Sequence, residues 1–342
     1  MRKLVSIQSI KALDPIPDAD RILVATVLGW KVVVRKDEFR VGEPCVFFEV
    51  DSLIPRKPWN DFLANKNKPD APIRLKTVRL KKQISQGLAM PLSICNEASS
   101  LKEGDDVTSL LGVTHYEPPI PVCLGGSVKG KMPGYVPHTD ELRIQSYPAL
   151  LDEFKGKLIY ITVKVDGTSS TFAFKDGEFD VCGRNWSFKD GVDNTYWKIA
   201  NKYDIHAKLK KIHDETGKNY AIQGEICGPS IQKNRLGLKD HELFVFNVYD
   251  INAARYLDFP DLQSFCVVND LRQVEVIMCN EFNFGSIDEL LELAKGEYES
   301  GQPREGIVIR PVKEFISNVL NTRASFKVLN NVFLEKEGKE SS

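Results

Sequence analysis

The chain has 342 residues, a formal net charge of −1 from 46 Lys and Arg against 47 Asp and Glu, and an ordinary hydrophobic share of 42%. That length exceeds what one hydrophobic core usually serves and predicts two domains, while the near-zero balance excludes a uniformly basic nucleic-acid coat and leaves room for a local basic stripe. No apolar run is long enough to span a bilayer, and Gln8, Ser9 and Lys11 interrupt any leader-like apolar segment, so an intracellular, reducing location, cytoplasmic or else nuclear, without membrane contact, is expected.

From the start to about residue 112 the pattern is one of short strands with turn punctuation: "ILVATVLGWKVVVRK", "GEPCVFFEV", "RLKTVRLKK" and "GLAMPL". Such a run predicts a small all-β barrel over residues 1–115. Within it Arg74, Lys76, Arg79, Lys81 and Lys82 interleave with Ile73, Leu75, Val78 and Leu80, so a strand would hold its cations on one face and core residues on the other. Nucleic-acid phosphate suits such a face; a solvated edge strand that uses lysine against aggregation explains it equally well.

Residues 116–137, "YEPPIPVCLGGSVKGKMPGYVP", concentrate proline and glycine and read as a linker. Beyond it, residues 138–342 mix helices and strands. "DELRIQSYPALLDEF" reads helical, three strands surround Lys164, and helices are expected from about 193 to 214, with strands at 219–226 and 243–249. Ser286 and Glu289 form a capping box for "IDELLELAKG", which Gly296 can end. Seven cysteines, Cys45, Cys95, Cys123, Cys182, Cys227, Cys266 and Cys279, lack zinc spacing and read as reduced, buried small hydrophobes. His206 and His213 read as the solvated face of a Lys-rich helix.

The stretch "TVKVDGTSST" places Lys164 inside an apparent strand. A lysine in K-x-D-G has one demanding use, attack of its neutral ε-amine on the α-phosphorus of a nucleoside triphosphate, for which nearby cations or a bound metal must disfavour the ammonium. By itself the motif is equally a hairpin turn over Val165–Thr168. Further along come "CGRNWSF" with Arg184, "IQGEICGPSIQKNRLG" with Glu225, "LFVFNVYD" with Phe246, "REGIVIR" with Glu305 and "SFKVLN" with Lys327. A guanidinium for phosphate, a carboxylate for ribose or a hydrated cation, a ring for a purine and a lysine for the triphosphate complete a nucleotide-handling set.

In this order the motifs resemble those of the covalent nucleotidyltransferase superfamily of polynucleotide ligases and capping enzymes. Within it, "VKVDGTS", "CGRNW", "GEICGPSIQKN" and "EGIVIR" are most similar to the RNA ligases. The segments "PIPDADRILVATVLGWKVVVRKDEF", "GEPCVFFEVDSLIP", "LKKQISQGL" and "GDDVTSLLG" resemble the amino-terminal module of ATP-dependent RNA ligase family five.

The resemblance implies an all-β OB-fold barrel followed by an α+β, ATP-grasp-like nucleotidyltransferase domain. It implies ATP and Mg²⁺ or Mn²⁺ as cofactors, and as partner an RNA with 3′-hydroxyl and 5′-phosphate ends, bound by a monomer. It makes Lys164 the nucleophile, sets Asp166 near the triphosphate or its metal, and puts Lys327 on the α-phosphate. Arg143, Gln145, Val165, Arg184, Glu225 and Glu305 would contact nucleotide, with Arg184 and Glu225 at the ribose or α-phosphate, and Phe246 would stack on adenine. Glu225 and Glu305 would hold metal-bound waters, with Asn194 as a further metal candidate. The first lysine of the usual motif V K-x-K is here Ser325, for which Arg310 or Arg323 would compensate. The rival readings are a GTP-dependent capping-type guanylyltransferase, which usually carries its OB domain after the catalytic one, and a non-enzymatic RNA-binding protein with a degenerate ligase domain.

Overall fold

A computed structural model of the chain describes residues 3–63, 71–95, 100–117, 126–191 and 193–340. Two compact units emerge, one comprising Met1–Pro119, Ile144–Pro148 and Leu334–Ser342, the other Ile120–Arg143 and Ala149–Phe333. The division expected from composition is contiguous, whereas two short later segments group with the first unit, because packing rather than chain order defines a core.

In the first unit the chain forms β1 (Val5–Ile16), β2 (Ala19–Val27), β3 (Trp30–Arg35), β4 (Pro44–Phe48), β5 (Ser52–Ile54), β6 (Ile73–Arg74), β7 (Val78–Leu80), β8 (Gln83–Ser85), β9 (Leu88–Pro91) and β10 (Thr114–His115). The main sheet has the order β3-β2-β1-β4-β9. Strand β1 is long enough to serve two partners: Val5 to Ser9 pair with β4 and Ile10 to Ile16 with β2, with a register slip between Ile10 and Ala12. Such a bulge bends a strand and lets one sheet curl towards closure. Alternation then divides the apolar residues into two clusters, one around Val5, Ile7, Val46 and Phe48, the other around Ile10, Val27, Trp30 and Phe47.

The basic stretch is not the single strand that its alternation suggests. Only Ile73–Arg74 joins β5, and β7 with β8 makes a separate two-stranded hairpin. Among the described strands β7 and β8 pair only with each other, and an isolated two-stranded ribbon has little against which to bury a face. Leu75 is accordingly core, at 7% exposure, but Val78 and Leu80 stand 47% and 44% exposed beside the cations.

The second unit contains β11 (Val128–Lys131), β12 (Leu142–Arg143), β13 (Leu158–Lys164), β14 (Thr168–Lys175), β15 (Glu178–Cys182), β16 (Trp186–Phe188), β17 (Tyr220–Cys227), β18 (Glu242–Asp250), β19 (Arg255–Tyr256), β20 (Val276–Glu281), β21 (Gly306–Pro311), β22 (Ile316–Ser317), β23 (Thr322–Arg323) and β24 (Phe326–Leu329). Its helices are α1 (Leu150–Phe154), α2 (Thr195–Lys202), α3 (Ile205–Thr216), α4 (Phe259–Val268) and α5 (Ile287–Ala294), and α6 (Asn331–Glu340) begins in it. One sheet has the order β11-β16-β15-β14-β17-β18-β19, a second the order β12-β24-β21-β13-β20.

Three local expectations change. Residues 128–131, assigned to a linker, are an edge strand paired with β16; residues 118–125 of that linker, with Cys123, lie outside the described residues. The helix expected over "DELRIQSYPALLDEF" is the short strand β12, a 3-10 turn over Ile144–Ser146 and the brief α1, since Pro148 removes a backbone donor where a helix would need one. His206 stacks on Phe179 at 4.7 Å and His213 packs against Phe174, so these imidazoles cover aromatic core as well as facing water. Helix α5 opens as its sequence predicts, with Ser286 Oγ accepting from the Glu289 N–H, and its last residue is Ala294, with Lys295 as C-cap directly before Gly296. The described cysteines are free, and all but Cys279 are buried.

Candidate active site

Strand register assembles the site floor. Lys164 pairs with Gly306, Thr162 with Val308, Val308 with Lys327, and Lys327 with Arg143 across the parallel β12. Directly opposed residues place their side chains on one face. Lys164, Lys327 and Arg143, which come from distant parts of the chain, therefore share a surface. Neighbours Val163 and Val165 point the other way into an apolar cluster with Cys227, Phe244 and Val274, against which Phe246 packs. Any nucleotide contact at Val165 therefore falls to its backbone.

Two glycines permit the approach of the strands that carry the carboxylates. A Cβ on Gly306, whose φ is +154°, would stand 2.2 Å from the Val328 carbonyl oxygen. One on Gly167 would meet the Ile226 carbonyl oxygen at 2.4 Å and Glu225 Cγ at 2.8 Å. The turn after Lys164 can thus lie against β17, where Glu225 stands between Ser169 and Phe244.

Lys164 Nζ donates to Glu305 Oε2 at 2.7 Å, with both side chains largely buried. Burial works against its charge, but Glu305, Glu225 and Asp166 hold its pKa well above the usual lysine range. This reverses the expectation of a site that favours the neutral amine: without a further cation the carboxylates fix Lys164 as an ammonium. Lys327 behaves oppositely, pushed down to about 8 by burial and by the charges of Lys164 and Arg143. Glu225 is pushed up to about 8 by burial and, against the pull of Lys164, by Glu305 and Asp166.

Asp166, 7% exposed, also has a raised pKa, from burial and Glu305, offset by Arg235. Arg235 Nη1 donates to Asp166 Oδ2 at 2.6 Å. Among the described residues no group of three or more His, Cys, Asp or Glu is arranged to hold a metal directly. Crowded, charge-deficient carboxylates nevertheless fit a hydrated Mg²⁺ or Mn²⁺, a cation that retains several waters and takes few protein ligands.

Other sequence candidates occupy varied places. The β17–β18 register slips between Gln223 and Gly224, which pair with Asn247 and Val245, and so leaves Phe246 on a bulge. Bulges re-aim side chains, and the Phe246 ring centroid lies 5.9 Å from Arg310 Cζ. Arg184 holds Asp140 with both ends of its fork, Nη2 to Oδ1 at 2.8 Å and Nε to Oδ2 at 3.2 Å, and is half exposed. Asn194 caps α2, its Oδ1 accepting the Trp197 N–H at 3.0 Å, so the oxygen that would face a metal's water is already engaged. Gln145, 1% exposed, belongs to the first unit, where its carbonyl accepts from the Gly29 N–H.

Neither arginine proposed to compensate for Ser325 brings uncompensated charge, since Arg310 donates to Glu141 at 2.8 Å and Arg323 grips Glu314 and Asn247. In the basic stretch, Arg74 is paired with Asp51 and lies over Tyr116, and Arg79 is paired with Glu335. Lys76, Lys81 and Lys82 are exposed.

Sequence reasoning missed Tyr298, whose hydroxyl donates to the Lys164 carbonyl and accepts from the Glu305 N–H, both at 3.0 Å. It also missed Arg235 and Gln232, although both stand in the quoted "GPSIQKNRLG". A tyrosine in "EYESG" carries no motif signal, and only the fold brings it under both strands.

A family model described as RNA ligase matches residues 157–329, and one described as an OB-fold domain matches residues 4–92. Among solved structures, a Naegleria gruberi RNA ligase mutant in its apo form is similar at 33% identity and a TM-score of 0.88, covering 99% of each chain. The same ligase with PPi matches at 34% identity over 99% of this chain and 100% of that one, and a lysine-to-alanine mutant with ATP and Mn at 34% over 98% and 99%, each with a TM-score of 0.88. No curated protein matches.

Proposed function

The chain belongs to the RNA ligase family, with an OB-fold domain ahead of a nucleotidyltransferase domain, and from that premise we propose that it joins RNA ends through an adenylate carried on Lys164. It is an ATP-dependent RNA ligase that uses a divalent metal. The Lys164 amine loses a proton and attacks the α-phosphorus of ATP; a P–N bond forms and the bond to pyrophosphate breaks. A 5′-phosphate oxygen then takes AMP from the lysine, and an RNA 3′-hydroxyl attacks that phosphate and expels AMP. Repair of broken RNA is the task this chemistry fits.

Each residue has a physical part in the first step. Glu305 fixes the amine's position by direct ion pairing, and Tyr298 ties the backbone of Lys164 to that of Glu305. Glu225 and Glu305 would hold a hydrated divalent cation, whose positive charge would offset those carboxylates and make the amine easier to deprotonate. Lys327 and Arg143, on the same sheet face, present positive charge to the α-phosphate, the kind of fixed charge that stabilises phosphoryl oxygens in a transition state. Phe246 offers a face for adenine, and the first unit holds RNA through its basic segment, an arrangement common to OB folds.

The observation that carries this reading is the pairing of Lys164 with Glu305 in a buried charged cluster with Glu225 and Lys327. Incubation with labelled ATP or GTP tests it. Label from ATP alone, lost in Lys164→Ala, is expected; label persisting in that variant would assign the nucleophile elsewhere, and label from GTP would restore the capping alternative.

A further inference from the structure

After β17 the chain makes an irregular excursion, Gly228 to Leu238, that has no role in the chemistry described above. Ser230, Gln232 and Asn234 take positive φ values of 63°, 47° and 44°. Side-chain-bearing residues avoid this left-handed region, so three alternate occurrences in one short segment mark a conformation imposed by its surroundings. The segment is pinned internally, with the Asn234 side chain exchanging hydrogen bonds with Leu238 at 2.9 and 3.1 Å.

What this conformation presents to the rest of the unit is specific. Gln232 Nε2 donates to the Gly167 carbonyl at 3.2 Å, and Arg235 Nη1 donates to Asp166 Oδ2 at 2.6 Å. Both contacts fall on the turn that immediately follows Lys164. The Arg235 and Asp166 side chains are only 5% and 9% exposed, so the pair is shielded from solvent. The guanidinium also lies 4.5 Å from the Phe333 ring centroid, and the Arg235 carbonyl accepts from the Ser300 hydroxyl. Each end of Arg235 is therefore fixed before it reaches Asp166.

We propose that the segment 228–238 is a brace for the Val165–Gly167 turn, in which Arg235 is a positioning residue that holds the Asp166 carboxylate and Gln232 one that holds the Gly167 backbone, so that Lys164 meets the nucleotide in attacking geometry. The inference rests on the reading of Lys164 as the nucleophile. A lysine at 235 would restore charge without the rigid planar fork, and so only part of the function. Small displacements of a reacting group carry large rate penalties, so the effect falls on the rate of lysine charging rather than on ATP capture.

Single-turnover charging with labelled ATP tests this in the wild type, Lys164→Ala, Arg235→Ala, Arg235→Lys and Gln232→Ala, alongside thermal melts. Arg235→Ala is expected to lower the maximal charging rate about 100-fold with little change in the ATP concentration giving half that rate. Arg235→Lys should recover part of the loss, and added methylguanidinium at millimolar concentration should partly rescue the alanine variant. Gln232 is exposed, so its variant folds and supplies an independent arm, with a several-fold slower rate expected. Wild-type maximal rates in both Arg235→Ala and Gln232→Ala would overturn the brace, as would a loss confined to ATP capture. If Lys164→Ala were still labelled, the reading of the nucleophile itself would fail, an outcome distinct from either.

Discussion

Replacing Lys81 and Lys82 by Asn and Gly is expected to stabilise the first unit while weakening its hold on RNA. The two lysines form the tip between β7 and β8 with φ values of 49° and 68°. A two-residue hairpin with positive φ at both centres is the turn for which Asn-Gly is preferred. Left-handed backbone costs an L-residue about 1–2 kcal/mol, and glycine gives back roughly 0.5–1 kcal/mol through the entropy of the unfolded chain. The double change should therefore add about 1 kcal/mol, a rise of roughly 2–4 °C in Tm for a domain of this size class.

If each ammonium neutralises one phosphate of a single strand, the loss of both should reduce the slope of log K against log [salt] by about 1.4. Extrapolated from 1 M to physiological salt, that corresponds to roughly tenfold weaker binding. Fluorescence anisotropy with single-stranded RNA across a KCl series, together with calorimetric melting, reads both quantities, and lysine charging should be unaffected. An unchanged salt slope in a variant that melts higher would refute an RNA role for this tip and leave the edge-protection reading.

The remaining predictions concern the nucleotide site. Lys164→Ala should abolish transfer of AMP to the protein yet still seal pre-adenylated RNA, which bypasses the first step; equal loss of both activities would point to a folding defect, checked by circular dichroism. Glu225→Ala and Glu305→Ala should each slow charging by two or more orders of magnitude, with partial recovery at high Mn²⁺; unchanged rates and metal dependence in both would remove the metal role. Tyr298→Phe deletes the hydroxyl that links Lys164 to Glu305 and should lower stability by about 1 kcal/mol, since a part-buried carbonyl and N–H lose their partner. Urea titration measures that loss, and a variant as stable as wild type would show that the bridge is dispensable.

The primary structure by itself determined the chemical inventory and its order. Lys164, Glu225 and Glu305 are legible as candidates because nucleotide chemistry uses those residue types near glycines that admit close approach, Phe246 and Lys327 because they follow in the same motif order, and the strands carrying them because alternation is local. Capping at Ser286 is equally local. What only the tertiary structure decided depends on which distant segments meet. Register across four strands puts Lys164, Lys327 and Arg143 on one face, and a bulge sets Phe246 apart from its neighbours. The charge state of Lys164 follows from carboxylates supplied by β17 and by the residue before β21, not from its own motif. The basic stretch shows the limit most clearly: its alternation is that of a half-buried strand, but the β7–β8 hairpin pairs with no other described strand, and Val78 and Leu80 stay 47% and 44% exposed.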